Sequence, residues 1–193
     1  MKKIEARKDS RSDEDSFYCL DNISPQMMTR FKVLDELIAG GYIHKTKPIN
    51  ELLPTICFIP SITSKFNEAP QELRKHYRRF FSWYAFFFAP YSFTQTRMGK
   101  DYFIILTGVL VLVYLIPESW TPIIRGMGTA FSFFISQVFV FSRYHQYQEF
   151  GRCPPSRSLF STIVLGSIGL FCSILLSAFI VTLISILTSY PKL

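Results

Sequence analysis

Residues 159–187, LFSTIVLGSIGLFCSILLSAFIVTLISIL, run for 29 positions without a charged side chain. As an α-helix the stretch is about 44 Å long at 1.5 Å per residue, more than the roughly 30 Å hydrocarbon core of a bilayer requires. A chain of 193 residues has too little other apolar surface to cover every face of such a helix. The segment is therefore expected to cross a membrane. Charge is partitioned to match: only seven of the 35 Asp, Glu, Lys and Arg side chains lie beyond residue 101. Water is the expected solvent of the first half and hydrocarbon that of the second.

Two shorter apolar runs precede this one. Residues 102–116, YFIILTGVLVLVYLI, extend back through Met98 and Gly99 and stop at Pro117-Glu118. Residues 123–142 follow, with Arg125 near the start, where a long cation can reach the interface. The turn between them holds Trp120, a residue type favoured at headgroup depth. Residues 98–142 thus read as a transmembrane hairpin, residues 143–158 as a cytoplasmic loop and residues 159–188 as a third span. With the N-terminus inside, Arg97, Lys100, Arg143, Arg152 and Arg157 face the cytoplasm, and only Arg125 and Lys192 lie toward the other side. The fold class expected is an all-α integral membrane bundle of three transmembrane helices, multi-pass in an inner membrane, with a small cytoplasmic N-terminal region.

The N-terminal half is read by punctuation. Residues 1–16, MKKIEARKDSRSDEDS, are charged, lack the apolar core of a signal peptide and are expected to be a disordered cytoplasmic tail. Residues 17–66 form a small cytoplasmic region with one helix, from Pro25 to Ala39. Ser24 is its cap, Pro25 suits the first turn and Gly40-Gly41 stops it. Met28, Phe31, Leu34 (or Val33), Leu37 and Ile38 make its apolar stripe. Pro48, Pro54 and Pro60 restrict residues 42–66 to loop or short extended pieces. A region this small needs support from the membrane part, an oligomer partner or another protein.

Residues 67–96 are expected to form an amphipathic aromatic and basic helix capped by Asn67. Leu73, Tyr77, Phe80, Phe81, Tyr84 and Phe88 recur at helical spacing, and Arg74, Lys75, Arg78, Arg79 and Ser82 fall largely opposite. Two settings satisfy that pattern: a helix in the headgroup plane, or a helix packed on protein. Residues 80–96 could also form a short fourth span, broken by Pro90. The interfacial reading assigns Arg74, Lys75, Arg78, Arg79, Trp83, Tyr84, Arg97, Lys100 and Trp120 to the membrane interface, with anionic headgroups as the ligand of the cations. In the last span Gly166, Gly169, Ser173 and Ser177 let another helix approach, either the hairpin of the same chain or a second copy.

The segment FFSWYAFFFAPYSFTQTRMGKDYF, residues 80–103, resembles a bacterial family of small membrane proteins called domain of unknown function 2628. Trp83, Ala85, Phe86, Phe87, Phe88, Pro90, Arg97 and Met98 carry the likeness, and SRYHQYQEF at 142–150, with Tyr144 and His145, resembles the family's aromatic and basic tail. The likeness covers about residues 80–150. It departs at Ala89, where the family often has glycine, and the third span lies beyond it. It implies a bacterial membrane fold and no activity.

Catalytic signatures are not found. No Gly-rich phosphate loop, G-x-S-x-G, H-E-x-x-H or C-x-x-C occurs, the four cysteines do not suggest a disulfide framework, and no cofactor or metal is called for. No acidic group falls at mid-span, and Gln137 is the one strongly polar side chain deep in a span. The net charge of +7 accompanies apolar runs, so membrane and not nucleic acid is the expected partner. Three functions follow. The first is a non-enzymatic accessory or scaffold protein that binds a protein partner at the cytoplasmic face. The second is an oligomeric pore or transport subunit built on Gly169, Ser173 and Ser177. The third is a lipid enzyme using His145 and Glu149, four residues apart on one helical face.

Overall fold

The computed structural model describes residues 23–116, 118–150 and 154–189. The expected tail at 1–16, together with Cys19, Arg152, Cys153 and Lys192, lies outside the described residues. Six α-helices are present among them and no strand: α1 (Pro25–Ala39), α2 (Gln71–Arg78), α3 (Trp83–Gln95), α4 (Gly99–Leu115), α5 (Thr121–Phe150) and α6 (Leu159–Ser189). The described residues are all-helical in class, and among them one helix, over Leu159–Thr188, and not the three expected, is long and apolar enough to cross a membrane. The described residues divide into two compact units. The first combines residues up to Phe81 with those from Gln137 to Ser156; the second combines Ser82–Ser136 with residues from Arg157 onward.

In the first unit, α1 has the limits that its punctuation predicts. The Ser24 hydroxyl accepts from the Met27 N–H at 3.3 Å, and Pro25 occupies the first turn. Gly41 adopts φ 70°, which lets the Tyr42 N–H reach back to the Leu37 carbonyl at 2.9 Å and closes the helix end. Phe31, Val33, Leu34 and Leu37 are buried. Residues 42–63 return on themselves as two arms joined by isolated antiparallel bridges, Ile43 to Ile62 and Pro48 to Cys57. Prolines 48, 54 and 60 lack the N–H groups that a continuous ladder needs, so the arms stay irregular, as expected.

The core that α1 and these arms share is completed from far along the sequence. Helix α5 does not stop at residue 142 but runs to Phe150, so residues 143–150 are not loop, as the arrival of Arg143 suggested. Val140, Phe141 and Tyr144 are buried with Phe31, Leu34, Phe66, Tyr77 and Phe80. Phe31 meets the rings of Tyr144 at 5.5 Å and Tyr147 at 5.3 Å. The Tyr144 hydroxyl donates to Asp35 Oδ1 at 2.6 Å and accepts from the Gln148 amide. Burial and this bond to a carboxylate keep the phenol protonated well above its ordinary range. Arg143 is itself buried and donates to the Gln146 side chain at 3.1 Å. Gln137 likewise belongs to the first unit and lines a cavity there.

The arm carrying Cys57 is stitched to α5 by a bond from the Cys57 N–H to Ser142 Oγ at 2.9 Å. Burial first, and Glu149 second, push the thiol from 9.0 up to about 12. At pH 8 that lowers the thiolate population roughly a thousandfold. Peptide-resolved mass spectrometry after a maleimide pulse is expected to show Cys57 modified at least about a hundredfold more slowly in the native chain than in guanidinium. Equal rates would place Cys57 outside the core.

The amphipathic segment at 67–96 is not one helix. Asn67 lies within a 3-10 turn, Ser64–Glu68, and Pro70 precedes α2. Helix α2 ends at Arg78 with Arg79 as its C-cap, and Ser82, expected on a polar face, instead caps α3 by accepting from the Ala85 N–H at 3.3 Å. Inside α3, Phe88 leaves helical geometry (φ −129°, ψ 41°) two residues before Pro90, whose missing N–H and ring break the local ladder.

In the second unit α6 packs against α4 and α3. The two expected hairpin helices form, joined by a short turn at Glu118–Trp120, and among the described residues α4 packs on α3 and α6. Thr162, Gly166, Ser173 and Ser177 are the buried stripe of α6. Only 11% of its most apolar window is buried, where the core helix of a soluble protein would be mostly covered.

Candidate functional site

Four of the nine interface residues come together in the first unit. Helix α2 turns Leu73 and Tyr77 toward the core, so Arg74, Lys75, Arg78 and Arg79 share the opposite side. Tyr77 anchors this orientation. Its ring meets Phe66 at 5.5 Å, Phe80 at 5.6 Å and Phe141 at 6.0 Å, and its hydroxyl donates to the Pro60 carbonyl at 3.1 Å. Burial pushes the Tyr77 phenol up to about 12, so it remains a donor at any physiological pH. The apolar side of residues 71–80 thus faces protein.

The four cations and Gln71 line a cavity of about 360 Å³. None of its lining residues is acidic, and none of the four cations has a carboxylate partner among the described residues. The Nε of Arg74 is buried without an acceptor. A second cavity, about 470 Å³, is walled by Phe66, Tyr77, Phe80 and Phe141 with Ile59 and Ile62, and its polar lining is Asn67, Gln137 and Arg78. Arg78 lines both. A third, about 650 Å³, shares Ile59 with the second and adds His44, Lys45, Lys47 and an exposed Phe58. Basic rims beside aromatic walls suit ligands that join an anionic group to an apolar body.

The remaining interface residues belong to the second unit. Trp83 and Tyr84 open α3 and are exposed, with Phe87 stacked on Trp83 at 5.8 Å. Arg97 is an exposed residue in left-handed geometry (φ 64°) between α3 and α4, and Lys100 is exposed in the first turn of α4. Trp120 is exposed in the turn before α5. The helix-packing residues are occupied within the chain. A Cβ on Gly166 would lie 2.7 Å from the Tyr91 ring, one on Gly169 would overlap the Phe103 ring, and Ser173 Oγ donates to the Phe103 carbonyl at 3.4 Å. Of the two partners open to that stripe, the same chain supplies the one observed.

His145 Nε2 and Glu149 Oε2 do meet, at 3.1 Å. Among the described residues no set of three potential metal ligands gathers around them or elsewhere. The aromatic cavity escaped sequence reasoning. Ile59, Ile62 and Phe66 sit in a proline-broken run, and Gln137 and Phe141 arrive from some 70 residues further on, with no local signal to join them. No family model, curated protein or solved structure matches the chain.

Proposed function

We propose that this chain is a non-enzymatic accessory or scaffold protein of an inner membrane, anchored by three spans, whose first unit binds a protein partner at the cytoplasmic face. The observation that carries the membrane placement is the bareness of α6. Phe160, Ile168, Phe171, Leu175, Phe179 and Leu187 all stand exposed over one half of its circumference, an apolar surface that water does not tolerate at this scale. Ile104, Leu112 and Leu115 on α4 and Phe133 on α5 extend it.

The hairpin topology has its own support. The first unit is assembled from residues up to Phe81 and from Gln137 to Ser156. Both parts must lie on one side of the bilayer, so the intervening chain crosses an even number of times, and α4 with the start of α5 provides two crossings. Helix α4, at 17 residues, reaches about 26 Å, close to the hydrocarbon thickness. The likeness of residues 80–103 to domain of unknown function 2628 points to the same bacterial membrane setting. The pore reading uses the face of Gly169, Ser173 and Ser177, where Phe103 of the same chain meets Gly169 and Ser173.

Two measurements test this function. The full chain should remain in the pellet after alkaline carbonate washing of native membranes. A photocrosslinking residue at exposed Phe58 should give a discrete adduct with one other protein. Release by carbonate sinks the membrane placement, and adducts only with further copies of the chain sink the scaffold role.

A further inference from the structure

We propose that the first unit is a receptor for a single anionic phospholipid, with its phosphate among Arg74, Lys75, Arg78 and Arg79 and its glycerol and proximal acyl carbons in the adjoining aromatic cavity. The inference rests on the membrane placement proposed above and adds a defined ligand site to it. Three observations converge. Among the described residues the cation-lined cavity has no acidic lining, and the buried Arg74 Nε has no acceptor. A buried donor without an acceptor is costly, and a phosphate oxygen relieves that cost while guanidinium groups match phosphate geometry. The second cavity is aromatic, has the size of a small-ligand site, and shares Arg78 with the first. Free phosphate would leave the aromatic cavity unused, and an uncharged lipid would leave four cations unpaired. An anionic phospholipid uses both.

Chain reach brings the lipid to the site. Arg79 precedes Trp83 by four residues, so at full extension about 14 Å separates them. Trp83, Tyr84 and Phe87 are exposed aromatics of the kind that settle at headgroup depth. The basic cluster is therefore tethered within reach of the lipid phosphates whatever the disposition of the two units.

The test is native mass spectrometry of the full chain in neutral micelles, titrated with dioctanoyl-phosphatidylglycerol. One saturable adduct is expected. Arg78→Gln and Arg74→Gln should each weaken it about tenfold, the loss of a charge-assisted bond. Ile62→Glu, at an exposed position of the apolar wall, should weaken it as well. Slow alkylation of Cys57 certifies that each variant is folded. Competition by inorganic phosphate at equal concentration, equal binding of dioctanoyl-phosphatidylcholine, unsaturable multiple adducts, or indifference to all three substitutions would each overturn the proposal. A chain that resists carbonate extraction yet binds no lipid fails at this site alone. A chain that carbonate releases but that still forms the adduct fails only in its membrane placement.

Discussion

Phe31→Ala lowers the stability of the first unit by about 3–5 kcal/mol, the range for removing a fully buried aromatic ring. Phe31 has no exposed surface and holds two α5 rings, Tyr144 and Tyr147, against α1. Its loss leaves a cavity where α1 and the far end of α5 share a core. Domains are stable by only about 5–15 kcal/mol in total, so the substitution removes a large share. The measurement is pulse proteolysis in micelles across a urea series, read on fragments from residues 23–81. Phe31→Leu, which keeps most of the volume, should cost less than half as much. A loss below about 1 kcal/mol for the alanine variant would mean that α1 and α5 do not share a core.

The fold was legible where the determinants are local. Ser24, Pro25 and Gly41 delimit α1 because a cap, a fixed φ and a left-handed residue each act within one turn. The prolines of residues 42–66 forbade a ladder for an equally local reason. The length of α6 followed from the absence of charge alone. The end of α5 was not legible. Arg143 ended the apolar run, but the continuation SRYHQYQEF remains helical because Val140, Phe141 and Tyr144 find α1 and α2 residues to pack on. Nothing near residue 143 in the sequence announces a partner 110 positions earlier. The cavity that Gln137 lines was equally hidden, because its other walls, Phe141 apart, come from residues 59–80.

The same distinction divides the site. The cations were visible in the run RKHYRR, residues 74–79, since charge at helical spacing is a property of the run itself. Their setting was not. Aromatic steps of three and four residues pass from Leu73 to Phe88 without a fault, and only the capping role of Ser82 breaks the stripe into two helices serving two units. Serine competes between a polar face and an N-cap, and spacing alone does not choose. Once the break is made, Tyr77 and Phe80 become walls of a cavity and Trp83 and Phe87 remain outside. One amphipathic pattern thus yields a core face in one unit and an exposed aromatic face in the other.

Gly169→Leu is expected to destabilise the second unit by about 1–3 kcal/mol, the cost of forcing methylenes into a filled interface. A side chain there must displace the Phe103 ring, and Phe103 cannot simply swing away, because its own carbonyl accepts from Ser173 and fixes the backbone beside α6. Gly108 supplies the control. A Cβ at that position meets nothing within 4 Å, so Gly108→Leu should be neutral or stabilising through helix propensity. The informative partner is Phe103→Ala. If the small-residue stripe serves α4, the pair Gly169→Leu with Phe103→Ala should recover at least about 0.5 kcal/mol relative to the sum of the single changes, because leucine then occupies the space that the ring vacates. If the stripe instead serves a second copy of the chain, Gly169→Leu lowers the oligomeric state and shows no coupling to Phe103. Steric-trap or denaturant unfolding in micelles, combined with mass determination of the purified species, separates the two outcomes, and strict additivity with loss of an oligomer would return the stripe to an interface between chains.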